Sequence, residues 1–360
     1  MSTVKNLRQH ERVLELSYPD GSSISLPYIW FRDNADNARH TNGQKLIDTL
    51  KIPLASQPES VELRDNSVTI RWQDGEETHT DLGLIHQTEK ASARYWQASD
   101  ITSLPTFPFE AISTNDSDLK EMLEAVEQLG FALIQGVPTE SGALFNVVDL
   151  FGFVRETNYG KHFDVKIETN PSNLAFTGLS LGGHTDNPYR NPVPTLQLLH
   201  CLENSAEGGD STLVDGFKVA EVLRQEAPDM FDVLATSPVK FRFQSDDADL
   251  ENTTTIIQTN VKGELTGISF NNRSMQALSL AAEAMLLFYE AYHRFGDMLE
   301  DDTFKLTFKL APGDLMLFDN TRVLHGRIGY TGAGSRHLQG CYADKDSLLS
   351  KLAVLRRTSL

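Results

Sequence analysis

The sequence predicts a mainly β protein: a β-sandwich or jelly-roll core with one or two supporting helices, preceded by a small β-rich module. Three observations carry this. Runs of four to eight residues rich in Val, Ile, Thr, Phe and Tyr recur along the chain. Turn signals built on Gly, Pro, Asn and Asp separate them. Helical spacing of apolar residues is confined to two segments, so the strands are too many and too closely spaced for an alternating α/β layout.

Taken in order, Arg12–Tyr18 (RVLELSY), a turn at Pro19-Asp20-Gly21 and SISLPYIW read as a hairpin. SVTIRW followed by Gln73-Asp74-Gly75 repeats the pattern, and residues 35–50 are polar and irregular. Residues 1–97 are therefore taken as the N-terminal domain and 98–360 as the second domain. Residues 98–117, rich in Pro, Ser and Thr, form the expected linker. A helix over DLKEMLEAVEQLG follows, capped by Asp116 or Ser117. It carries Leu119, Met122, Leu123, Val126 and Leu129 on one face and ends at Gly130. FALIQGV reads as a buried strand. PTLQLLHC, DSTLVDG, KFRFQ, TTIIQTN, GISFNN, LTFKLAPGDLMLFDN and RHLQGCYA read as further strands, interrupted by one long helix over 275–299.

With 360 residues, 40% of them hydrophobic, the chain can bury a large core. A net charge of −18 argues against nucleic acid or an anionic membrane surface as partner. Two cysteines, Cys201 and Cys341, cannot build a disulfide framework and suit a reducing compartment. The start, MSTVKNLRQHERVLEL, lacks the apolar run of a secretory signal, and no stretch approaches 18 apolar residues. A cytoplasmic location is the expectation.

The chemistry concentrates in two segments. In Leu181-Gly182-Gly183-His184-Thr185-Asp186 an imidazole and a carboxylate stand two residues apart, which in extended chain puts both on one face. Much later, Phe318-Asp319-Asn320-Thr321-Arg322-Val323-Leu324-His325-Gly326 supplies a second histidine just after an apolar strand. His184, Asp186 and His325 together make the two-histidine, one-carboxylate set of non-haem Fe(II) oxygenases, whose three open positions take 2-oxoglutarate and O2. By itself His-x-Asp is a common surface or capping pair; the distal His-Gly and Arg336 behind it set this instance apart. Arg336 lies between apolar strand residues and offers the planar fork that a dicarboxylate such as 2-oxoglutarate needs.

The motifs HTD, Gly208-Gly209-Asp210-Ser211, FDNTRVLHGR and SRHLQGCYAD, together with Trp30–Asn34 (WFRDN), resemble the γ-butyrobetaine hydroxylase branch of the taurine-dioxygenase-like oxygenases over nearly the whole chain. The resemblance implies a double-stranded β-helix core from about residue 98. It implies iron at His184, Asp186 and His325, 2-oxoglutarate on Arg336 with Ser211 beside it, and a homodimer. Relatives hold a structural zinc through cysteines just after the WxRDN motif. Here that stretch reads Ala35-Asp36-Asn37-Ala38-Arg39-His40, with no cysteine in the first 200 residues, so no structural zinc is expected.

The resemblance further implies an aromatic cage for a trimethylammonium group at Tyr159, Phe163, Phe176 and Tyr342, against core packing as the plainer reading of each ring. It places the substrate's anion on Asn173 and Asn271. This chain adds Asn187, Tyr189, Arg190 and Arg273, more cation and donor than one carboxylate needs. Local ion pairs of Arg190 and Arg273 are the alternative. On that surplus the sequence favours hydroxylation of 2-(trimethylamino)ethylphosphonate to its 1-hydroxy product, resembling the dioxygenases of that compound, over hydroxylation of γ-butyrobetaine to carnitine. A jelly-roll binding protein without chemistry would have lost one of the three ligands, and a zinc hydrolase would have no use for the dicarboxylate arginine.

Overall fold

The computed structural model describes residues 3–86, 93–166, 179–330 and 334–358. The chain falls into two compact units, Met1–Lys90 and Ala91–Leu360. No described helix is long and apolar enough to cross a membrane.

In the first unit, β1 (Asn6–Gln9), β2 (Val13–Ser17) and β3 (Ser23–Pro27) form one antiparallel meander. A second meander is β4 (Pro58–Arg64), β5 (Ser67–Trp72) and β6 (Glu77–Asp81). Alternation decides their inner faces: Leu14 and Leu16 of β2, and Val68, Ile70 and Trp72 of β5, are all buried. The expected strand SISLPYIW ends at Pro27, because Tyr28–Asp33 forms helix α1. Tyr28, Phe31 and Arg32 fall on one helical face and are buried, so period 3.6 overrides the apparent continuation of the strand. The polar segment after WFRDN is tied down by side chains. Asp33 accepts from Lys45 Nζ and Thr49 Oγ1, and Arg39 donates to Asn34 Oδ1 at 3.0 Å.

The second unit begins with β7 (Thr106–Pro108), α2 (Phe109–Thr114), α3 (Asp116–Leu129), β8 (Phe131–Gln135) and α4 (Leu144–Val148). Residues 98–117 are thus no linker. β7 pairs in parallel with β8, Ile112 is buried, and Trp96, fully buried, lies 5.4 Å from the Phe131 ring. Burial of these apolar residues outweighs the Pro/Ser/Thr composition that suggested a connector. Helix α3 buries Leu119, Met122, Leu123 and Val126 as expected and ends at Gly130, whose φ of +82° is the left-handed cap conformation. Its N-cap is Asn115, one residue before the expected positions, with its side chain accepting from Ser117 N at 2.8 Å.

Next come β9 (Val154–Arg155), β10 (Phe163–Val165), β11 (Leu181–His184), β12 (Leu196–Asn204) and β13 (Ser211–Asp215). They are followed by α5 (Gly216–Glu226), α6 (Pro228–Thr236) and two hairpins, β14 (Val239–Gln244) with β15 (Asp249–Thr254) and β16 (Ile257–Thr259) with β17 (Leu265–Ile268). The chain closes with α7 (Ala282–Glu300), β18 (Lys305–Phe308), β19 (Leu315–Asp319), β20 (Val323–Arg327), β21 (Arg336–Ala343) and α8 (Lys345–Thr358). Helix α7 starts seven residues later than the apolar pattern suggested. Met275 bridges to Phe241 and Gln276 N donates to Lys240 O, which holds that stretch extended.

Two sheets frame the core. The larger has the order β10-β21-β12-β19-β8-β7, with β9 also on β21; the smaller is β11-β20-β13-β18. The single run LTFKLAPGDLMLFDN supplies β18 to one sheet and β19 to the other, crossing at the Ala311–Asp314 turn. Leu199, Met316, Phe318 and Leu338 of the larger sheet and Leu213 and Val323 of the smaller belong to one buried cluster. This is the double-stranded β-helix expected from the motifs.

Candidate active site

Strands β11 and β20 are antiparallel, with His184 directly opposite His325. Directly opposed side chains on one face of a sheet must meet. The two rings lie 4.3 Å apart, centroid to centroid. Asp186, just past the end of β11, brings Oδ1 to 3.4 Å from His184 Nε2 and Oδ2 to 3.8 Å from His325 Nε2. One ligand atom from each of the three residues lies within 4.8 Å of the others.

Their chemistry fits a cation. His184 Nδ1 is 3.0 Å from Gly182 O, an acceptor, so Nδ1 carries a proton and Nε2 faces the carboxylate. A neutral His184 would then point a lone pair at Oδ1, which calls for a positive charge between them. Burial, with His184 alongside, pushes the His325 imidazole down to about 3, so it is neutral and offers its own lone pair. Burial raises the Asp186 carboxyl, but the contacts with His184, His325 and Tyr342 outweigh it and hold the group ionised. Two imidazoles and one carboxylate suit a divalent metal.

The supports of Asp186 were not read from the sequence. Gln197 Nε2 donates to Oδ2 at 2.9 Å and the Tyr342 hydroxyl donates to the same oxygen at 3.1 Å. Asn320, fully buried, accepts from Asp186 N at 2.7 Å and donates to Asp186 O at 3.0 Å and Pro194 O at 2.9 Å. Thr185 is stitched to the next segment through Phe270 O and Phe270 N. Gln197 left a trace in the sequence, as the one amide in the apolar run PTLQLLHC; Asn320 left none beyond its place before Thr321.

The triad opens into a cavity of about 700 Å³. Arg336, Arg327 and Ser211 line one part of it. Arg336 is buried, its Nε donating to Gly209 O at 3.1 Å. Burial, with Arg327 nearby, pulls its guanidinium down to about 10, which leaves it charged at neutral pH. Arg327 pairs across strands with Ser211 and was missed in the sequence, although it follows His325 by two residues on the same strand.

Aromatic rings form another wall. Phe163 and Tyr342 are 5.2 Å apart and Tyr159 and Phe163 6.3 Å. Phe243, from the β14–β15 hairpin, adds a ring 5.8 Å from Tyr159 and stacks on Tyr189 at 5.3 Å. Sequence reasoning missed Phe243, because in KFRFQ it looks the same as the core residue Phe241. The fourth expected cage ring, Phe176, lies outside the described residues, as does Asn173.

The residues assigned to the substrate anion divide. Arg273 lines the cavity and has no hydrogen-bond or ion-pair partner among the described residues; burial lowers its guanidinium, and the Asp186 charge works against that shift. Asn187 also lines it; its amide nitrogen is buried without a partner among the described residues, while its Oδ1 accepts from the Tyr189 hydroxyl at 2.5 Å. Asn271 lines the cavity, yet its side chain donates to Thr185 O at 2.9 Å and accepts from Ser274 N at 3.3 Å. Tyr189 belongs to the aromatic wall, since its hydroxyl is taken up by Asn187 and by the Tyr159 hydroxyl at 3.0 Å. Arg190 is not in the cavity lining. Asn187 adopts φ +56°, which turns the chain, and the Arg190 guanidinium donates to Asn158 beside a separate depression.

Residues 89–342 match the family model "Taurine catabolism dioxygenase TauD, TfdA family", and residues 5–81 match "Gamma-butyrobetaine hydroxylase-like, N-terminal". A gamma-butyrobetaine dioxygenase of Pseudomonas sp. (strain AK-1) is 35% identical, over 96% of this chain and 94% of the relative. The human gamma-butyrobetaine dioxygenase is 29% identical over 96% and 95% of the two chains. The mitochondrial trimethyllysine dioxygenase of Mus musculus is 29% identical over 96% and 86%. With the TauD, TfdA family model matched over residues 89–342 and a triad able to hold the metal, the chain belongs to the TauD/TfdA family and is an Fe(II)- and 2-oxoglutarate-dependent dioxygenase that uses O2.

Proposed function

We propose that this enzyme hydroxylates γ-butyrobetaine, with Fe(II) held by His184, Asp186 and His325. The observation that carries the substrate class is the make-up of the cavity. Ring faces of Tyr159, Phe163, Phe243 and Tyr342 share it with the guanidinium of Arg273, which no described residue pairs, and Asp186 is the only carboxylate among its described lining residues. A quaternary ammonium has no donor to give, so ring faces and burial of its methyl groups are what hold it. The relatives named for γ-butyrobetaine support the carboxylate over the phosphonate that the sequence favoured. The phosphonate reading rested on the surplus of Asn187, Tyr189, Arg190 and Arg273; with Arg190 outside the cavity lining and the Tyr189 hydroxyl engaged by Asn187 and Tyr159, Arg273 and the Asn187 amide remain of that set, enough for a single carboxylate.

When bound, Fe(II) with 2-oxoglutarate and O2 supplies the oxidising power, coupling decarboxylation to succinate with insertion of oxygen into a C–H bond. The protein's residues do the positioning. Arg336 and Ser211, with Arg327 beside them, hold 2-oxoglutarate, whose distal carboxylate takes the guanidinium fork. Gln197 and Tyr342 fix the Asp186 carboxylate in one orientation, and Asn320 holds its backbone. The aromatic wall holds the ammonium, and Arg273 with the amide of Asn187 takes the carboxylate, so the intervening C–H bonds are presented in one pose.

The test offers purified enzyme, Fe(II), 2-oxoglutarate and O2 to γ-butyrobetaine, trimethyllysine and 2-(trimethylamino)ethylphosphonate in parallel. Hydroxylated γ-butyrobetaine in step with succinate is the expected result. Succinate without hydroxylated product would refute the substrate, and turnover of the phosphonate alone would reinstate the other reading.

A further inference from the structure

Three residues of β21 alternate onto the cavity face: Leu338 and Tyr342 line the cavity, and Gly340 stands between them. Gly340 pairs directly with Phe163 across β10 and β21. A Cβ placed on Gly340 would lie 2.5 Å from both Cε2 and Cζ of Phe163 and 3.0 Å from Leu199 Cδ2. The Phe163 ring therefore lies over the bare backbone of its cross-strand partner. Gly340 is in a regular strand and outside the positive-φ region, so its backbone would accept alanine. What the position requires is the missing methyl, not glycine's conformational freedom.

We infer that Gly340 is a positioning residue that sets the width of the aromatic pocket by letting the Phe163 ring lie flat on the cavity floor. This rests on the reading that the rings receive a trimethylammonium group. Normal carbon–carbon contact begins near 3.5 Å, so a methyl at 340 must lift the ring by about 1 Å. The floor closes the downward direction, so the ring moves into the space between itself, Tyr342 and Tyr159. A compact head group would tolerate that shift better than a bulky one.

The test is a cycle of G340A, F163A and the double variant, read by the KM for γ-butyrobetaine, the KM for 2-oxoglutarate and a crystal structure of G340A. Expected is a rise of about tenfold in the γ-butyrobetaine KM for G340A, the scale of one cation–π contact. The 2-oxoglutarate KM stays unchanged, and the analogue with a dimethylamino head loses less. Once Phe163 is alanine, the second substitution adds nothing, so the double variant matches F163A. If G340A does not fold, the double variant is expected to fold with the KM of F163A. Additive losses, an unfolded double variant, or a Phe163 ring unmoved in the G340A structure would each overturn the inference. A displaced ring in an enzyme whose wild type neither binds nor converts γ-butyrobetaine would instead overturn the substrate reading, and the role in head-group fit with it.

Discussion

The metal corner and the substrate wall of the same cavity are built in different ways. His184 and His325 are opposed by strand pairing, and Asp186 is fixed by a buried asparagine that binds its backbone on both sides. The aromatic wall is assembled from side chains of β10, β21, the 187–190 turn and the β14–β15 hairpin, held by ring contacts and hydroxyl bonds. A ladder of backbone hydrogen bonds tolerates little displacement, whereas a ring wall can be reshaped one side chain at a time. Within this enzyme the chemistry is therefore the stiff half and the choice of substrate the adjustable half.

The largest effect should come from the frame under the metal corner. Arg322, just before β20, and Asp215, the last residue of β13 and N-cap of α5, form a buried two-point ion pair at 3.0 and 2.7 Å. Arg322→Ala leaves Asp215 charged and buried, and should lower unfolding free energy by about 3–5 kcal/mol in a denaturant titration. A loss below about 1 kcal/mol would show the frame to be softer than the strand pairing implies.

Next comes Asn320→Ala. It removes three hydrogen bonds around Asp186 without touching a ligand atom, and should lower iron affinity or activity about 10–100-fold. Arg273→Gln tests the opposite half: it should raise the γ-butyrobetaine KM by about 10–100-fold, as loss of a charged hydrogen bond would, and leave the 2-oxoglutarate KM alone. Phe163→Ala should raise the same KM about tenfold with 2-oxoglutarate again spared. Equal effects of Phe163→Ala on both KM values would mean that the two halves are not separable. At the small end, Arg190→Gln should change neither KM by more than about twofold, since surface contacts of this kind contribute little.

The division explains what the sequence could and could not disclose. His-x-Asp followed by a distal His after an apolar strand is legible because strand geometry fixes where those side chains point. Arg336 is legible for the same reason, as a charge inside an apolar strand. Tyr159, Phe163 and Tyr342 were found by resemblance, and the cavity does bring them together. Arg190 was misplaced because proximity in sequence to HTD says nothing of the turn at Asn187, where φ is +56°. Phe243 arrives from a hairpin more than 50 residues beyond that motif, and no local pattern separates it from the core residue Phe241. The β7–α2 segment read as a linker because its composition is that of a connector, while its apolar residues, Phe107, Phe109 and Ile112, pack on the main core. The late start of α7 depended on a bridge to Phe241 that no periodicity encodes.

The central claim is that His184, Asp186 and His325 hold the iron. Anaerobic titration of Fe(II) into the 2-oxoglutarate-loaded protein, followed by the visible charge-transfer absorption of the chelate, measures it directly. The wild type should take up one equivalent with a sharp endpoint, and alanine at any of the three positions should abolish the tight phase while folding is retained. A variant at any of them that still binds one equivalent as tightly as the wild type would contradict the assignment.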